Sequence, residues 1–252
     1  MASVSAFSLS KNQIAELCAF STCADREARS DLIIQMIVSE NDYTSNFTGA
    51  LRRIINSNSK SGLSATSQVL PKAVEQRTGC DAAIVVQSSG YAKVLLLEAK
   101  WPRFKVRNHA WDTLQKSTGT SHFSDQLTRQ ATHIPPYAIA EMILCEYAFG
   151  HEPYSMDASG SSCIWHADAK KFDSTRTSRP GVWKQNDLAA LLVMRVHHPI
   201  AEIVMQMCLC NEGTPIRLST DGSLDSLDIH LPSDVLVIRA GEDPSGAEGN
   251  KQ

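Results

Sequence analysis

Two short apolar runs, joined by a polar segment that contains a glycine, constrain this chain more than any other feature of its sequence. They are AAIVV at 82–86 and KVLLL at 93–97, with QSSGY between them. Short runs rich in β-branched and aliphatic residues predict strands, and a glycine in the connection favours a β-hairpin. Because neither run alternates with polar residues, we expect both faces of each strand to be buried. The sequence therefore predicts an antiparallel pair near the centre of a sheet.

Charged residues stand at the ends of these two runs. Asp81 directly precedes the first run, Glu98 ends the second, and Lys100 follows two positions later. In an antiparallel hairpin the start of one strand lies beside the end of the next. Side chains two positions apart in a strand leave the same face. The two carboxylates and the ammonium group are therefore expected to meet at one edge of the sheet.

This combination of charges predicts a particular chemistry. Carboxylates held close together repel each other unless a cation neutralises them. Oxygen ligands favour Mg²⁺ or Mn²⁺, and either ion can activate water and polarise a phosphodiester. A nearby ammonium group would stabilise the charge that grows on the phosphate oxygens. The residues themselves thus predict a metal-dependent site that cleaves phosphodiesters.

The pattern of Asp81, then Glu98-Ala99-Lys100 after an apolar strand, resembles the PD-(D/E)XK nuclease superfamily, although GCD replaces the proline-aspartate pair. The resemblance covers residues 35–147. It implies an α/β chain with a restriction-endonuclease-like mixed β-sheet core flanked by helices. It also implies Mg²⁺ or Mn²⁺ as the cofactor and endonuclease activity on DNA.

The same resemblance implies two further site residues. Members commonly carry a glutamate on the helix before the hairpin, for which Glu40 is the first candidate and Asp42 the alternative. They often carry a glutamine on the helix after the hairpin, and FSDQLTRQ supplies Gln126 and Gln130, with His122, Arg129 and His133 on the same helical face. The expected metal ligands are Glu40, Asp81 and Glu98, and the expected catalytic set adds Lys100 and Gln126.

The rest of the chain predicts alternating helices and strands. Helical spacing runs from Lys11 to Ser39 and resumes in TSNFTGALRRIIN with Thr44 or Ser45 as the N-cap, and residues 56–67 have a loop composition. Further on, the sequence predicts a helix in SHFSDQLTRQATHI, a strand in YAIAEMILCEYAF, a helix interrupted at Pro199 and a last strand in SDVLVIRAG. We expect an N-terminal helical segment at 1–30, a nuclease-like domain at 31–240 with an insertion at about 150–185, and a disordered tail at 241–252.

Charge and hydropathy limit the partners of this chain. The net charge is only −3, but a basic cluster of Arg103, Lys105 and Arg107 follows the second strand and is expected to bind a nucleic-acid backbone. No apolar run is long enough to span a membrane, and the N-terminus lacks a secretory signal, so a cytoplasmic protein is expected. The cysteines are scattered, which favours free thiols.

Three functions remain after these observations. The leading one is a Mg²⁺-dependent endodeoxyribonuclease that serves as a restriction or antiphage-defence effector. We expect such an enzyme to be a homo-oligomer and to be activated by a ligand or a partner subunit. The alternatives are an inactive nucleic-acid-binding or assembly subunit of the same fold, and an unrelated α/β domain in which Glu98 and Lys100 form a strand-end ion pair. Lys93 is expected to tolerate substitution and so to serve as a control.

Overall fold

The computed structural model describes residues 7–69, 79–102, 112–134, 136–144, 160–194, 197–220, 224, 231–232 and 234–244. Within these ranges the chain forms a mixed α/β structure with one sheet of eight strands and six α-helices. No helix in the described ranges is long and apolar enough to cross a membrane.

The strands and helices are numbered in chain order. The strands are β1 (Leu63–Val69), β2 (Ala82–Ser88), β3 (Tyr91–Lys100), β4 (Ala138–Ile143), β5 (Ser162–Trp165), β6 (His197–His198), β7 (Ile216–Arg217) and β8 (Asp234–Ala240). The helices are α1 (Lys11–Ile33), α2 (Glu40–Asn58), α3 (His122–Gln130), α4 (His166–Thr175), α5 (Gln185–Val193) and α6 (Ile200–Cys208). A short 3-10 turn, Ala131–His133, follows α3.

The predicted hairpin lies at the centre of the sheet. The strand order is β1-β8-β2-β3-β4-β5-β6, and β7 pairs with the first residues of β3. β2 and β3 are antiparallel with Ala82 opposite Leu97, whereas β2 pairs with β8, and β3 with β4, in parallel. Ser89 and Gly90 connect the hairpin with positive φ angles of 52° and 78°, which match the right-handed twist of the strands. The predictions of a central, buried hairpin and of a mixed sheet are confirmed.

Alternate residues of β3 face two different cores. Leu95 and Leu97 belong to the larger core, which packs against residues of α1, α2 and α6 such as Phe47. Val94 and Leu96 belong to a smaller core on the opposite face. Because the side chains of a strand alternate, Glu98 and Lys100 leave β3 on that second face, in line with Val94 and Leu96.

Two boundaries near α2 differ from the sequence-based expectation. The helix begins at Glu40 rather than after Thr44 or Ser45, because the Ser39 side chain caps it by accepting a hydrogen bond from the Asp42 N–H at 3.1 Å. The stretch 56–67, expected to be a loop, contains the end of α2 and the start of β1. β1 pairs with β8, and its small polar residues alternate with buried Leu63 and Ala65. That weak alternation in a serine-rich segment hid the strand.

The expected insertion at 150–185 is largely part of the main fold. Residues 150–159, including Tyr154, lie outside the described residues. Residues 162–165 form β5, which pairs with β4, and α4 follows directly. Trp183 is fully buried and lies against the rings of Phe123 and Phe172, with centroid distances of 5.1 and 5.4 Å. The described aromatic residues of this region therefore pack in or against the cores rather than in a protruding loop.

Both ends of the described chain pack onto the same unit. α1 extends to Ile33 and contributes Leu17 to the larger core. Near the C-terminus, the Gly241 N–H donates to the Gly62 carbonyl at 3.0 Å, and Asp243 accepts a hydrogen bond from the Ser10 hydroxyl. Residues 241–244, assigned to a disordered tail by composition, are thus hydrogen-bonded to the fold, and residues 245–252 lie outside the described part. The final strand and the strand after the double proline are confirmed.

The environment of Lys93 argues against the expectation that this residue tolerates substitution. Lys93 is fully buried, and its ammonium donates to the carbonyls of Glu212 and Gly213 at 2.6 and 2.7 Å. We expect Lys93→Ala to lower the free energy of unfolding by about 2–5 kcal/mol, since it creates a cavity and leaves both carbonyls without their donor. Urea denaturation measures the loss, with exposed Lys171→Ala as the control. Equal stability of the two variants would contradict this role.

Candidate active site

The five residues expected to form the site line one pocket. Its volume is about 330 Å³ and it opens to solvent at the end of β3. Its walls are formed by Glu40, Asp81, Glu98, Lys100, Asp112, Thr113, His122, Phe123 and Gln126. Residues that are far apart in the sequence, from α2, the β2–β3 hairpin and α3, thus converge here.

The hairpin backbone fixes Asp81 beside Glu98. The Asp81 N–H donates to the Leu97 carbonyl at 2.9 Å, which extends the ladder by one residue beyond β2. The Ala99 N–H donates to Asp81 Oδ2 at 2.8 Å, so the carboxylate itself is held by β3. The predicted meeting of the strand start with the strand end therefore has a specific cause in two backbone hydrogen bonds.

Lys100 bridges two of the carboxylates. Its ammonium donates to Glu98 Oε1 and lies 4.0 Å from Glu40 Oε2. The ring of Phe123 lies 5.6 Å from the same nitrogen, which adds a cation–π contact. Burial acts to lower the pKa of Lys100, but the surrounding carboxylates, first among them Glu98, outweigh it and raise the pKa above its usual value. The lysine is therefore held in its charged form.

Glu98 is the most deeply buried of the three carboxylates expected to bind the metal. It is 2% exposed, and its Oε2 is buried without a hydrogen-bond partner in the described structure. Burial raises the pKa of Glu98 well above its usual value; Lys100 opposes the rise, whereas Asp81 and Glu141 add to it. A buried carboxylate oxygen that lacks a partner costs free energy, and a cation bound there would recover it.

Glu40, rather than Asp42, reaches the pocket. Glu40 is the first residue of α2, and its Oε1 accepts a hydrogen bond from the Trp101 N–H at 2.6 Å, just beyond β3. Asp42 is not among the residues that line the pocket. The geometry thus favours the first of the two candidates for the helix carboxylate.

Gln126 connects α3 to β3 and to the turn that precedes β2. Its Nε2 donates to Glu98 Oε1 at 2.5 Å and to the Gly79 carbonyl at 3.1 Å. The start of α3 is fixed by Asp112, which accepts from the Phe123 N–H at 3.0 Å and from the Ser121 hydroxyl. Gln126 therefore holds an oxygen of Glu98 in place rather than projecting into solvent.

Four pocket residues were not expected from the sequence. They are Asp112, Thr113, Phe123 and His122, the last of which was noted only for its helical face. Asp112 and Thr113 lie before α3 in a segment that has no helical or strand periodicity, so only the tertiary structure identifies these two residues. The predicted nucleic-acid-binding residues Arg103, Lys105 and Arg107 lie outside the described residues.

The donor set fits a hard divalent cation, although it is not arranged as a finished metal centre. The described residues contain no group of three or more His, Cys, Asp or Glu side chains that could hold a metal ion as they stand. Glu98 Oε1 is occupied by Lys100, and Asp81 and Glu40 each accept a backbone N–H. The three carboxylates supply the oxygen ligands that Mg²⁺ and Mn²⁺ prefer, and Glu98 Oε2 offers one without a present partner.

Comparison with known proteins does not assign this site. The chain matches no protein-family model, and it has no match among curated proteins or solved structures. Its function is therefore inferred from its own residues and their geometry.

Gly79 is required at the turn that precedes Asp81. Its φ is +67°, and an added Cβ would lie 3.0 Å from Gln126 Cγ. We expect Gly79→Ala to destabilise the protein more than Gly90→Ala, in which φ is +78° but a Cβ meets nothing within 4 Å. Both substitutions place a Cβ in the left-handed region, which costs about 1–2 kcal/mol of stability. Only Gly79→Ala also crowds Gln126. Urea denaturation compares them; equal losses would show that the turn tolerates a Cβ.

Proposed function

We propose that this protein is a Mg²⁺- or Mn²⁺-dependent nuclease that hydrolyses phosphodiester bonds of DNA. The observation that carries the proposal is the buried Glu98 carboxylate, which shares one open pocket with Asp81, Glu40 and Lys100 and keeps an oxygen without a partner. Three carboxylates beside one buried ammonium group suit a cation and a phosphate better than any neutral ligand. The resemblance to PD-(D/E)XK nucleases and to their restriction-endonuclease-like fold is part of the same proposal.

Each residue would have a distinct role in hydrolysis. Asp81, Glu98 and Glu40 would hold the cation through carboxylate oxygens. The cation, when bound, would lower the pKa of a water molecule and offset the charge of the scissile phosphate. Lys100, released from Glu98, would donate to the phosphate oxygens as their charge grows. Gln126 would keep Glu98 in its orientation through the 2.5 Å hydrogen bond between them.

A nucleic acid is the proposed substrate because the sequence places Arg103, Lys105 and Arg107 directly after the strand that carries the site. The resemblance to PD-(D/E)XK nucleases favours DNA. Cleavage of both strands would need two sites, which favours a homo-oligomer. In a restriction or antiphage-defence role, an activating ligand or partner subunit would raise a basal cleavage activity. The alternative is an inactive nucleic-acid-binding or assembly subunit. The convergence of all five catalytic candidates on one pocket favours the active enzyme, since an inactive subunit would not need all of them.

The first test of the proposal is metal-dependent cleavage. We expect the purified protein to cut plasmid DNA with Mg²⁺ or Mn²⁺ and to stop when a chelator is added. Calorimetric titration should give Mn²⁺ binding to the wild type and a strong loss of affinity in Asp81→Ala, because Asp81 would supply a ligand oxygen. Wild-type protein that neither binds Mn²⁺ nor cuts DNA would refute the proposed function. Equal Mn²⁺ affinity in both proteins would remove Asp81 from the site.

The second test concerns the chemical step. We expect Lys100→Ala to bind DNA nearly as well as the wild type but to cut it about 10²–10³-fold more slowly, since it removes one preorganised cationic donor. Lys100→Arg should restore little activity, because a planar guanidinium cannot occupy the compact ammonium position. Single-turnover cleavage and DNA-binding titrations separate the two effects, and exposed Lys171→Ala is the matched control. Full cleavage by Lys100→Ala would make Lys100 structural.

A further inference from the structure

Three buried polar side chains lie behind the pocket and form a series of hydrogen bonds that ends at the turn before Asp81. They are Glu141 of β4, His166 at the start of α4, and Gln130 at the end of α3, with exposures of 0%, 2% and 0%. Glu141 is paired with Glu98 in the parallel register of β3 and β4, so this series of side chains begins beside the site. None of these three residues lines the pocket itself.

The hydrogen bonds of Gln130 determine which nitrogen of His166 carries a proton. Gln130 Nε2 donates to the Gly79 carbonyl at 2.8 Å, which leaves its Oε1 facing His166 Nδ1 at 3.0 Å. The reversed amide would place two acceptors, Oε1 and the Gly79 carbonyl, against each other. His166 Nδ1 is therefore the donor to Gln130, and the same N–H lies 3.3 Å from Glu141 Oε1.

This series of hydrogen bonds ends at the Gly79 carbonyl, in the turn that leads into Asp81. The Gly79 carbonyl accepts from Gln130 and, at 3.1 Å, from Gln126, one helical turn earlier in α3. Gly79 is in the left-handed region and lies two residues before Asp81. The two glutamines therefore hold the turn from which Asp81 extends its carboxylate to the Ala99 N–H.

We propose that Gln130, His166 and Glu141 are positioning residues for the nuclease reaction, forming a hydrogen-bonded relay that holds the Gly79 turn and, through it, the carboxylate of Asp81. The effect of the relay on catalysis rests on the proposed function. Its effect on the placement of Asp81 rests on the hydrogen bonds alone. The relay touches neither substrate nor cation and acts through Asp81.

The polar character of the relay is difficult to explain by packing alone. Glu141 Oε2 and His166 Nε2 are buried without hydrogen-bond partners in the described structure, which costs free energy. Neighbouring positions on the same elements carry apolar residues, Ile143 on β4 and Ala169 on α4, that fill the adjoining core without such a cost. Outer-shell groups that orient a metal-binding residue are a known reason to keep buried polar side chains, and their loss typically lowers metal affinity or activity by about 10–100-fold.

Two amide substitutions at His166 separate positioning from packing. The side-chain amide of His166→Asn can place an N–H where Nδ1 lies, whereas that of His166→Gln reaches the position of Nε2 and leaves Gln130 Oε1 without its donor. We expect amide hydrogen exchange at Ala99, measured by NMR, to be at least about tenfold faster in His166→Gln and nearly unchanged in His166→Asn. Mn²⁺ affinity should follow the same order, with a loss of about tenfold or more in His166→Gln.

Val204→Ala, in the core on the other face of the sheet, controls for general destabilisation. It should lower the melting temperature without changing amide exchange at Ala99. If His166→Gln does not fold, Gln130→Leu takes its place, because it also removes a hydrogen-bonding group of the relay. Unchanged Ala99 exchange in both relay variants, or equal acceleration in Val204→Ala, would overturn the relay. If exchange at Ala99 is faster in the relay variants but the wild type neither binds Mn²⁺ nor cuts DNA, the role of the relay in placing Asp81 is supported. Only the proposed function is then overturned.

Discussion

The buried carboxylate of Glu98 is the constraint on which the rest of the site depends. Placing a negative charge at the end of a central strand, at 2% exposure, is unfavourable unless neighbouring groups compensate it. Lys100 supplies the opposite charge and Gln126 supplies a hydrogen bond, yet Oε2 keeps no partner. The site is therefore stabilised only in part, which is consistent with the proposed binding of a cation.

The two lysines of β3 illustrate how the face of a strand decides the role of a residue. Lys93 leaves the sheet on the face of the larger core, where its ammonium caps carbonyls in the turn after α6. Lys100, an odd number of positions later, leaves the opposite face and meets Glu98. Both are buried, and burial lowers the pKa of Lys93, whereas carboxylates raise that of Lys100. Identical side chains on one strand thus stabilise either the fold or the site.

The sequence predicted the hairpin, the sheet class and the convergence of Asp81, Glu98 and Lys100, because strand alternation and hairpin pairing are local and follow simple geometry. It missed β1, whose serines and threonines face solvent on an edge strand, and β5, which lies in a segment with loop-like composition. His166 and Glu141 were missed for a different reason: their contacts depend on which strand lies beside β3, and no local pattern specifies that neighbour. A carboxylate within the apolar run AIAEMI was the one available signal.

The position of β8 has a consequence for the order in which the site can be assembled. β8 is the last described strand in the sequence, yet it lies between β1 and β2 and pairs with both. During synthesis β2, the strand that follows Asp81, therefore has an open edge until β8 has been made. Contacts so distant in sequence form late and slowly. A chain that still lacks β8 would thus carry every candidate site residue before it had the complete sheet that holds them together.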